Sequence, residues 1–421
     1  MEKMKGSAFF AALMGIDWAD EGHVIKLQSS DGEQIETFDV KQAPEELHVW
    51  LSNLRIRFGR RPVAVSVEQS RGALIWALMQ HEFIVVYAIQ PKALSNYREA
   101  LRSSGAKDDC SDAELLLMFL QNHIHKLRGW TPEDVLTREL RFLVEFRRKE
   151  VNHATRVKNQ LTASLKQYFP QAFQLVGELD TVLACDFLAK WPTLADIQKA
   201  TPERLRMFYN KHNCRSNKLV EERIKLLKVA VPLTKDIAIV SAYSLRVKIL
   251  VKDLKQLMQN IEEFDTRIEE LMQQHPDRQF YESLPGVGPV FKARLAADMG
   301  MNRERFTQAK EMQQFVGTAP VTISSGKFRK VHRRMACPGF SHQTHLEYAE
   351  LTLRKSLWAL LYYQQKRNRL GHYAALRALA FKWDRILFRC WINRTAYDER
   401  VYLESLYKHG SPLAQLLRTK S

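Results

Sequence analysis

Four acidic residues have types and spacing that suit phosphodiester chemistry. Asp17 ends an apolar run in the segment GID, and Glu68 ends another in VSVE. Asp109 and Asp112 follow in KDDCSDA, where a spacing of three lets both side chains share one face at the start of a helix. Carboxylates that converge from several elements bind a hard cation such as Mg²⁺. The four acids are therefore candidate catalytic and metal-binding residues.

The second pair of acids also has a purely structural interpretation. Ser111, Asp112, Ala113 and Glu114 match a capping box, in which acids stabilise the N-terminus of a helix. For any single acid, such a structural role is the better explanation. The four together, at two strand ends and one helix start, favour a metal site because a charge at the end of an apolar strand is otherwise costly.

A candidate nucleophile lies in the segment TISSGKFRKVHRR. Ser324 and Ser325 precede Gly326, which lets the backbone approach a phosphate closely. A serine can attack phosphorus when its proton is removed and the phosphate charge is neutralised. The basic residues that could neutralise it are Lys327, Arg329, Lys330, His332, Arg333 and Arg334. Spacing alone does not distinguish this nucleophile from a basic DNA-contacting loop with incidental serines.

The segment LPGVGPVFKARLAADMG resembles the hairpin of a helix-hairpin-helix motif. Gly286 and Gly288 permit a tight turn whose backbone N–H groups point at a phosphate. An ordinary helix–helix turn has the same pattern. Both glycines are candidate nucleic-acid-binding residues.

The charge balance indicates a polyanionic partner. The chain has 421 residues, with 64 Lys and Arg against 47 Asp and Glu, a net charge of +17. Such an excess favours nucleic acid, because each phosphate that Lys or Arg neutralises releases a counterion. No apolar run is long enough to span a membrane, and the apolar start runs into Asp17 without a cleavage site. The five scattered cysteines indicate neither a zinc site nor a disulfide framework, so we expect a cytoplasmic protein.

Three segments of the chain must position these residues. Residues 1–130 alternate apolar strands with helices, which predicts an α/β layer. Residues 131–277 contain two long amphipathic helices, expected to pair as an antiparallel coiled coil around a helical insert at about 176–230. Residues 278–421 predict a mainly helical C-terminal domain that bears the serines. The fold class is thus multidomain, α/β followed by α.

The motifs, taken in order, resemble one known family. GID, VEQS and KDDCSDA resemble the DEDD signature of a RuvC-like domain, although Asp108 stands where the family has Thr. LPGVGPVFKARLAADMG and FVGTAPVTISSG resemble the C-terminal domain of the same proteins, the DEDD-type insertion-sequence transposases, or bridge-RNA-guided recombinases. The segment after the serines lacks the family's usual Lys-x-Gly-Asn-Arg form. The resemblance implies an N-terminal RuvC-like (RNase H-like) mixed sheet, a central coiled coil and a C-terminal serine-bearing transposase domain.

The resemblance also implies an activity. Ser325, with Ser324 as the alternative, would form a phosphoserine with DNA, while Asp17, Glu68, Asp109 and Asp112 hold Mg²⁺. A noncoding guide (bridge) RNA would pair with donor and target DNA. The active site would form within one chain or across the subunits of a homo-oligomer, a dimer or tetramer.

Two other classes stay open at this point. A RuvC-type junction endonuclease needs the four acids and no serine, since metal-activated water is its nucleophile. A non-catalytic nucleic-acid scaffold needs neither. Substitution of Ser325 or Asp17 separates the three classes.

Overall fold

The computed structural model describes residues 9–68, 71–101, 109–326 and 328–418, with the backbone alone for 109–111. The chain forms two compact units, the first ending at Pro132 and the second beginning at Glu133. Across the described ranges, no helix is both long and apolar enough to cross a membrane.

The first unit contains a five-stranded mixed sheet in the order β3-β2-β1-β4-β5. Strands β1, β2 and β3 pair antiparallel, whereas β1–β4 and β4–β5 pair parallel. This confirms the predicted mixed sheet. The strands are β1 Ala12–Asp17, β2 Gly22–Ser29, β3 Ile35–Lys41, β4 Val63–Val67 and β5 Ile84–Ala88.

Four α-helices accompany this sheet in the described part of the first unit. Strand β4 is buried along its whole length, as expected for an apolar strand covered on both faces. The main apolar core of the unit joins the strands to Leu47, Leu51 and Ile75. The helices are α1 Pro44–Phe58, α2 Ala73–Leu78, α3 Pro91–Leu101 and α4 Asp109–His123.

The second unit is mainly helical, with one short hairpin. The helices are α5 Val135–Tyr168, α6 Ala172–Val176, α7 Val182–Lys190, α8 Leu194–Gln198, α9 Pro202–Lys211, α10 Asn217–Val229, α11 Ile237–Gln273, α12 Arg278–Glu282, α13 Pro289–Met299, α14 Ala309–Phe315, α15 Gly339–Thr352, α16 Leu357–Leu370, α17 His372–Asn393, α18 Glu399–Lys408 and α19 Pro412–Arg418. The hairpin strands are β6 Val321–Ser325 and β7 Phe328–His332.

The two long helices α5 and α11 run antiparallel. Glu139 near the start of α5 pairs with Arg267 near the end of α11, while Tyr168 at the end of α5 stacks on Tyr243 near the start of α11. The amphipathic pattern predicted this pair of helices.

Two apolar cores lie along this helix pair. One joins the far end of the pair to helices α6–α10, around Phe187 and Tyr209. The other joins the near end to helices α12–α19, around Trp358, Trp383 and Trp391. The predicted segments 131–277 and 278–421 thus both lie in the second unit, and the boundary between them stays a prediction.

Candidate active site

Asp17 and Glu68 follow two neighbouring parallel strands at the same edge of the sheet. Asp17 is the last residue of β1, and Glu68 comes directly after β4. The register pairs Ile16 with Val67, so the two acids are the next residues along adjacent strands. Adjacent strands lie about 4.8 Å apart, which makes these carboxylates neighbours. Asp17 is half-buried, and Glu68 is exposed.

Helix α4 packs directly on β1 at Gly15. A Cβ atom at this position would lie 2.1 Å from the carbonyl oxygen of Ala113 and 2.5 Å from the amide nitrogen of Leu117. Only glycine permits this contact, because both opposing atoms belong to the helix backbone. Side chains alternate along a strand, so Asp17 lies on the same face of the sheet as Gly15 and faces α4.

A buried hydroxyl reinforces the same contact. The Ser66 Oγ lies 2.8 Å from the carbonyl oxygen of Leu116 and 3.0 Å from that of Met14. Ser66 pairs with Gly15 across β4 and β1, and the alternation continues from Ser66 to Glu68 on the α4 side.

The direction of α4 brings its first turn to the acidic edge. Gln121, late in α4, bonds to Gln28, which pairs with Leu13 at the beginning of β1. Helix α4 therefore runs antiparallel to β1, and its N-terminus lies at the strand end that carries Asp17. Asp112 is in that first turn. We call Asp17, Glu68 and Asp112 the carboxylate edge.

Asp112 has a specific partner. It is 5% exposed, and its Oδ1 accepts a hydrogen bond from the Arg98 guanidinium of α3, with which it forms an ion pair. Asp109 begins α4, and its side chain lies outside the described part. Among the described side chains, no three His, Cys, Asp or Glu residues are gathered closely enough to hold a metal ion.

The donor chemistry of the carboxylate edge fits a hard cation. The three residues offer carboxylate oxygens alone, without a thiol or imidazole, and this set suits Mg²⁺ better than a softer metal. They come from three elements fixed by the core. Acids gathered at one edge of a sheet repel each other unless cations offset their charge, and Arg98 offsets that of Asp112.

The candidate serines lie on an exposed hairpin. We call residues 321–332 the serine hairpin. Its strands β6 and β7 are antiparallel, with Ser324 opposite Arg329 and Ser325 opposite Phe328. Both serines are exposed, and Gly326, directly after β6, has φ +54°. Successive side chains of a strand point to opposite faces, so the hydroxyls of Ser324 and Ser325 lie on opposite faces of the hairpin.

The predicted basic residues that the structure describes lie on β7 and just beyond it, at the base of the hairpin. Arg329 and Lys330 are exposed on β7, and Arg333 is exposed just beyond it. Arg334 is half-buried, and its Nε donates to the carbonyl of Ala319. Lys327 lies outside the described residues. The sequence analysis predicted no strands here and left a basic loop as one alternative, whereas the structure has a β-hairpin.

A buried polar network holds the segment that leads into the hairpin. The Thr318 hydroxyl donates to Asp384, whose other oxygen lies 2.6 Å from Nδ1 of His345. His345 also faces Asp298, which accepts a 2.6 Å bond from Ser341. Burial lowers the pKa of His345, but Asp384 and Asp298 outweigh this effect and raise it above its ordinary value.

The predicted helix-hairpin-helix turn joins α12 to α13. Gly286 has φ +79°, and a Cβ atom there would lie 3.2 Å from the carbonyl oxygen of Leu351, so its glycine is required by packing within the protein. Gly288 is exposed and precedes Pro289, the first residue of α13. Only Gly288 thus offers an open backbone face to a ligand.

Comparison with known proteins places these two regions in one family. Residues 14–170 match a protein-family model for the DEDD domain of IS110 transposases, which is described as "Transposase". Residues 278–346 match a second family model, described as "Transposase IS116/IS110/IS902 family". The chain belongs to the IS110 family of transposases. As an IS110-family transposase, it acts on DNA in the transposition of an insertion sequence.

Relatives of similar length support this assignment. The Streptomyces coelicolor protein "Mini-circle putative transposase for IS117" is 26% identical over 394 residues, which cover 92% of this chain and 95% of that protein. The 43.6 kDa protein of insertion element IS110 from the same organism is 25% identical over 92% of this chain and 96% of its own. The alignments cover both units of the IS110-family transposase.

Three residues near the predicted sites escaped the sequence analysis. Arg98 lies in α3, which the sequence analysis did not predict, and Arg377 lies in an amphipathic helix among many other arginines. His342 precedes His345 by three residues, a spacing that places both on one helix face. That pair of histidines at helical spacing was the available signal.

Proposed function

We propose that this IS110-family transposase exchanges DNA strands through a covalent bond between DNA and Ser325. The observation that carries the proposal is the exposure of Ser325 beside Gly326 on a hairpin whose second strand is basic. A two-stranded β-ribbon fits the major groove of DNA, and its lysine and arginine side chains neutralise phosphates. The exposed ring of Phe328, opposite Ser325, is typical of a surface that a partner covers.

The proposed reaction conserves phosphoester bonds. The Ser325 oxygen bonds to phosphorus, and the bond to the DNA 3′ oxygen breaks, so that this oxygen takes up a proton and leaves as a hydroxyl. A 3′-hydroxyl of the partner strand then attacks the phosphoserine and releases the serine. The number of phosphoester bonds is unchanged, and ATP is not needed.

The carboxylate edge, with Asp109, is the proposed magnesium site. Its neighbouring positions at the end of β1, after β4 and at the start of α4 support this assignment, and the strand order is consistent with a RuvC-like domain. A bound Mg²⁺ neutralises charge on the phosphate oxygens. Arg98 must release Asp112 for this carboxylate to serve as a ligand.

Guidance by RNA and self-association complete the proposal. The net charge of +17 suits a protein that holds a guide RNA together with donor and target DNA. The antiparallel pair α5–α11 is proposed as the coiled coil that joins subunits, and its exposed apolar residues Ile237, Leu245 and Ile249 support this role. Light scattering of the purified chain measures the number of subunits.

A recombination assay with three variants tests the proposal. With the RNA of its own element, the wild type should join donor and target DNA, and Ser325→Ala and Asp17→Asn should not. Ser324→Ala should retain joining. If Ser325→Ala still cleaves, water is the nucleophile and the chain acts as a junction endonuclease. If Asp17→Asn is fully active, the acids have no catalytic role.

A further inference from the structure

A buried histidine without a full set of partners lies beside the base of the serine hairpin. His342 is 5% exposed, and its Nδ1 lies 3.0 Å from the carbonyl oxygen of Val316. Within the described part of the chain, its Nε2 has no hydrogen-bond partner. Because Nδ1 must carry a proton to donate to the carbonyl, Nε2 of the neutral ring is a buried acceptor whose hydrogen-bonding capacity is not satisfied. A buried polar atom without a partner is costly, so its retention points to a ligand.

The positive charges of two arginines act on this histidine. Arg333 follows β7, and Arg377 lies on α17. Burial lowers the pKa of Arg377, and the charge of Arg333 lowers it further. Neither arginine has a carboxylate within ion-pair distance among the described residues, although most other partly buried arginines here have one. Two like charges beside an unpartnered imidazole form a site for an anion.

We propose that His342, Arg333 and Arg377 bind one backbone phosphate of the DNA at the base of the serine hairpin. The guanidinium groups match the geometry of phosphate oxygens, and a protonated Nε2 would donate a third bond. This site rests on the proposed function and extends it. It would hold the DNA backbone at the base of the hairpin, away from the Ser325 hydroxyl that reacts. Four residue steps along β6 separate Ser325 from Val321, about 14 Å, which corresponds to about four phosphates of one strand when measured along the axis of a DNA duplex.

Binding at this site takes up a proton. Burial is the main cause that lowers the pKa of His342, the bond to Val316 raises it, and the charges of Arg333, Arg377 and His345 lower it again. The nearby Cys337 thiol has a pKa raised by burial and stays neutral. A phosphate bound beside His342 offsets the cations and raises this pKa. The affinity for phosphate therefore decreases as the pH rises through the pKa of the bound state.

The test measures binding of a short DNA duplex to the full chain by fluorescence anisotropy at about pH 6 and about pH 8. Wild type should bind about tenfold more tightly at the lower pH, as expected for one charge-assisted hydrogen bond. His342→Gln should remove this difference. Arg377→Ala should weaken binding about tenfold, whereas the matched control Arg389→Ala, exposed on the same helix, should weaken it far less. Circular dichroism confirms that each variant is folded.

Two results would overturn the site. Equal losses in Arg377→Ala and Arg389→Ala would show that only overall charge matters, and a pH dependence that persists in His342→Gln would assign it to another group. The outcome is separable from that of the proposed chemistry. Ser325→Ala should keep the pH-dependent binding and lose joining. If wild type shows the pH dependence but never joins DNA, the phosphate site stands and the serine mechanism fails.

Discussion

The carboxylate edge and the serine hairpin differ in how the fold holds them. Asp17 and Glu68 lie at the ends of buried strands, and Asp112 lies in the first turn of α4. The backbone contact at Gly15 and the hydrogen bond of the Ser66 hydroxyl hold α4 against the sheet. The serines lie on a two-stranded hairpin whose strand residues are nearly all exposed. The fold thus predetermines the acids' positions, while the contacts that hold the hairpin in the described part of the chain lie at its base, at Thr318 and Arg334.

This difference suggests a division of labour. A metal site needs ligands placed accurately before the reaction, and a core provides that accuracy. A nucleophile that enters a DNA groove must project from the protein, and its position is then completed by the DNA. Changes in the core beneath the acids should therefore affect stability and activity together, whereas changes on the hairpin should affect activity alone.

The largest effect is expected at the carboxylate edge. Asp17→Asn removes one proposed ligand charge and should lower strand joining about a thousandfold, or about 4 kcal/mol of barrier. The thermal midpoint should change little, because the amide has the same shape. The control Asp20→Asn alters an exposed acid three residues away and should be fully active. Equal activity of the two variants in a joining assay with Mg²⁺ would remove Asp17 from the site.

A substitution beneath the acids should cost both stability and activity. Gly15→Ala places a methyl group 2.1 Å from a helix carbonyl, so α4 must move away from β1, at a cost of about 3 kcal/mol. Thermal unfolding of the full chain measures this loss. Gly32→Ala, which has open space around the new methyl group, is the matched control and should unfold like wild type. A stable, active Gly15→Ala variant would refute the tight contact between α4 and β1.

The buried network at the base of the hairpin should make stability depend on pH. The folded state raises the pKa of His345 above its unfolded value of about 6.5. Its contribution is therefore complete below that value and is lost as the pH rises through the folded pKa. The difference in thermal midpoint between wild type and His345→Gln should be larger at about pH 6 than at about pH 9. A difference that grows with pH would mean that His345 is neutral in the folded protein.

The smallest effect is expected at Ser66. Replacing it with alanine removes a buried hydroxyl that bonds to backbone carbonyls, and should cost about 1 kcal/mol of unfolding free energy. Ser30→Ala, at an exposed position, should cost less than about 0.5 kcal/mol. The comparison by chemical denaturation tells whether the hydroxyl stabilises the α4 contact.

The positions of two acids at strand ends were easier to predict from the sequence than the contacts around them. Asp17 and Glu68 stand at the ends of apolar runs, and that pattern is local, so the strand ends were visible without a structure. The contact of Gly15 with α4 and the Arg98–Asp112 pair join segments distant in sequence, and no local pattern encodes them. No local pattern encodes the end of the predicted coiled-coil segment at residue 277 either, because residues on both sides of it pack into one core.

The hairpin was missed for a different reason. The two strands are short and expose both faces, and Phe328 to His332 lack the alternation of apolar and polar residues that marks a half-buried strand. Its density of charge instead suggested a loop. The serines and the basic residues stay predictions made from residue type and order, while the strand that carries Ser324 and Ser325 on opposite faces became visible only in the structure.

The most direct test of the account is to isolate the bond between protein and DNA. The transposase would be incubated with Mg²⁺, the RNA of its element and labelled DNA, then denatured, digested and analysed by mass spectrometry. The account predicts a nucleotide attached to the peptide at Ser325, absent in Ser325→Ala and retained in Ser324→Ala. DNA cleavage without any protein-linked nucleotide, or a nucleotide attached at Ser324 instead, would contradict it.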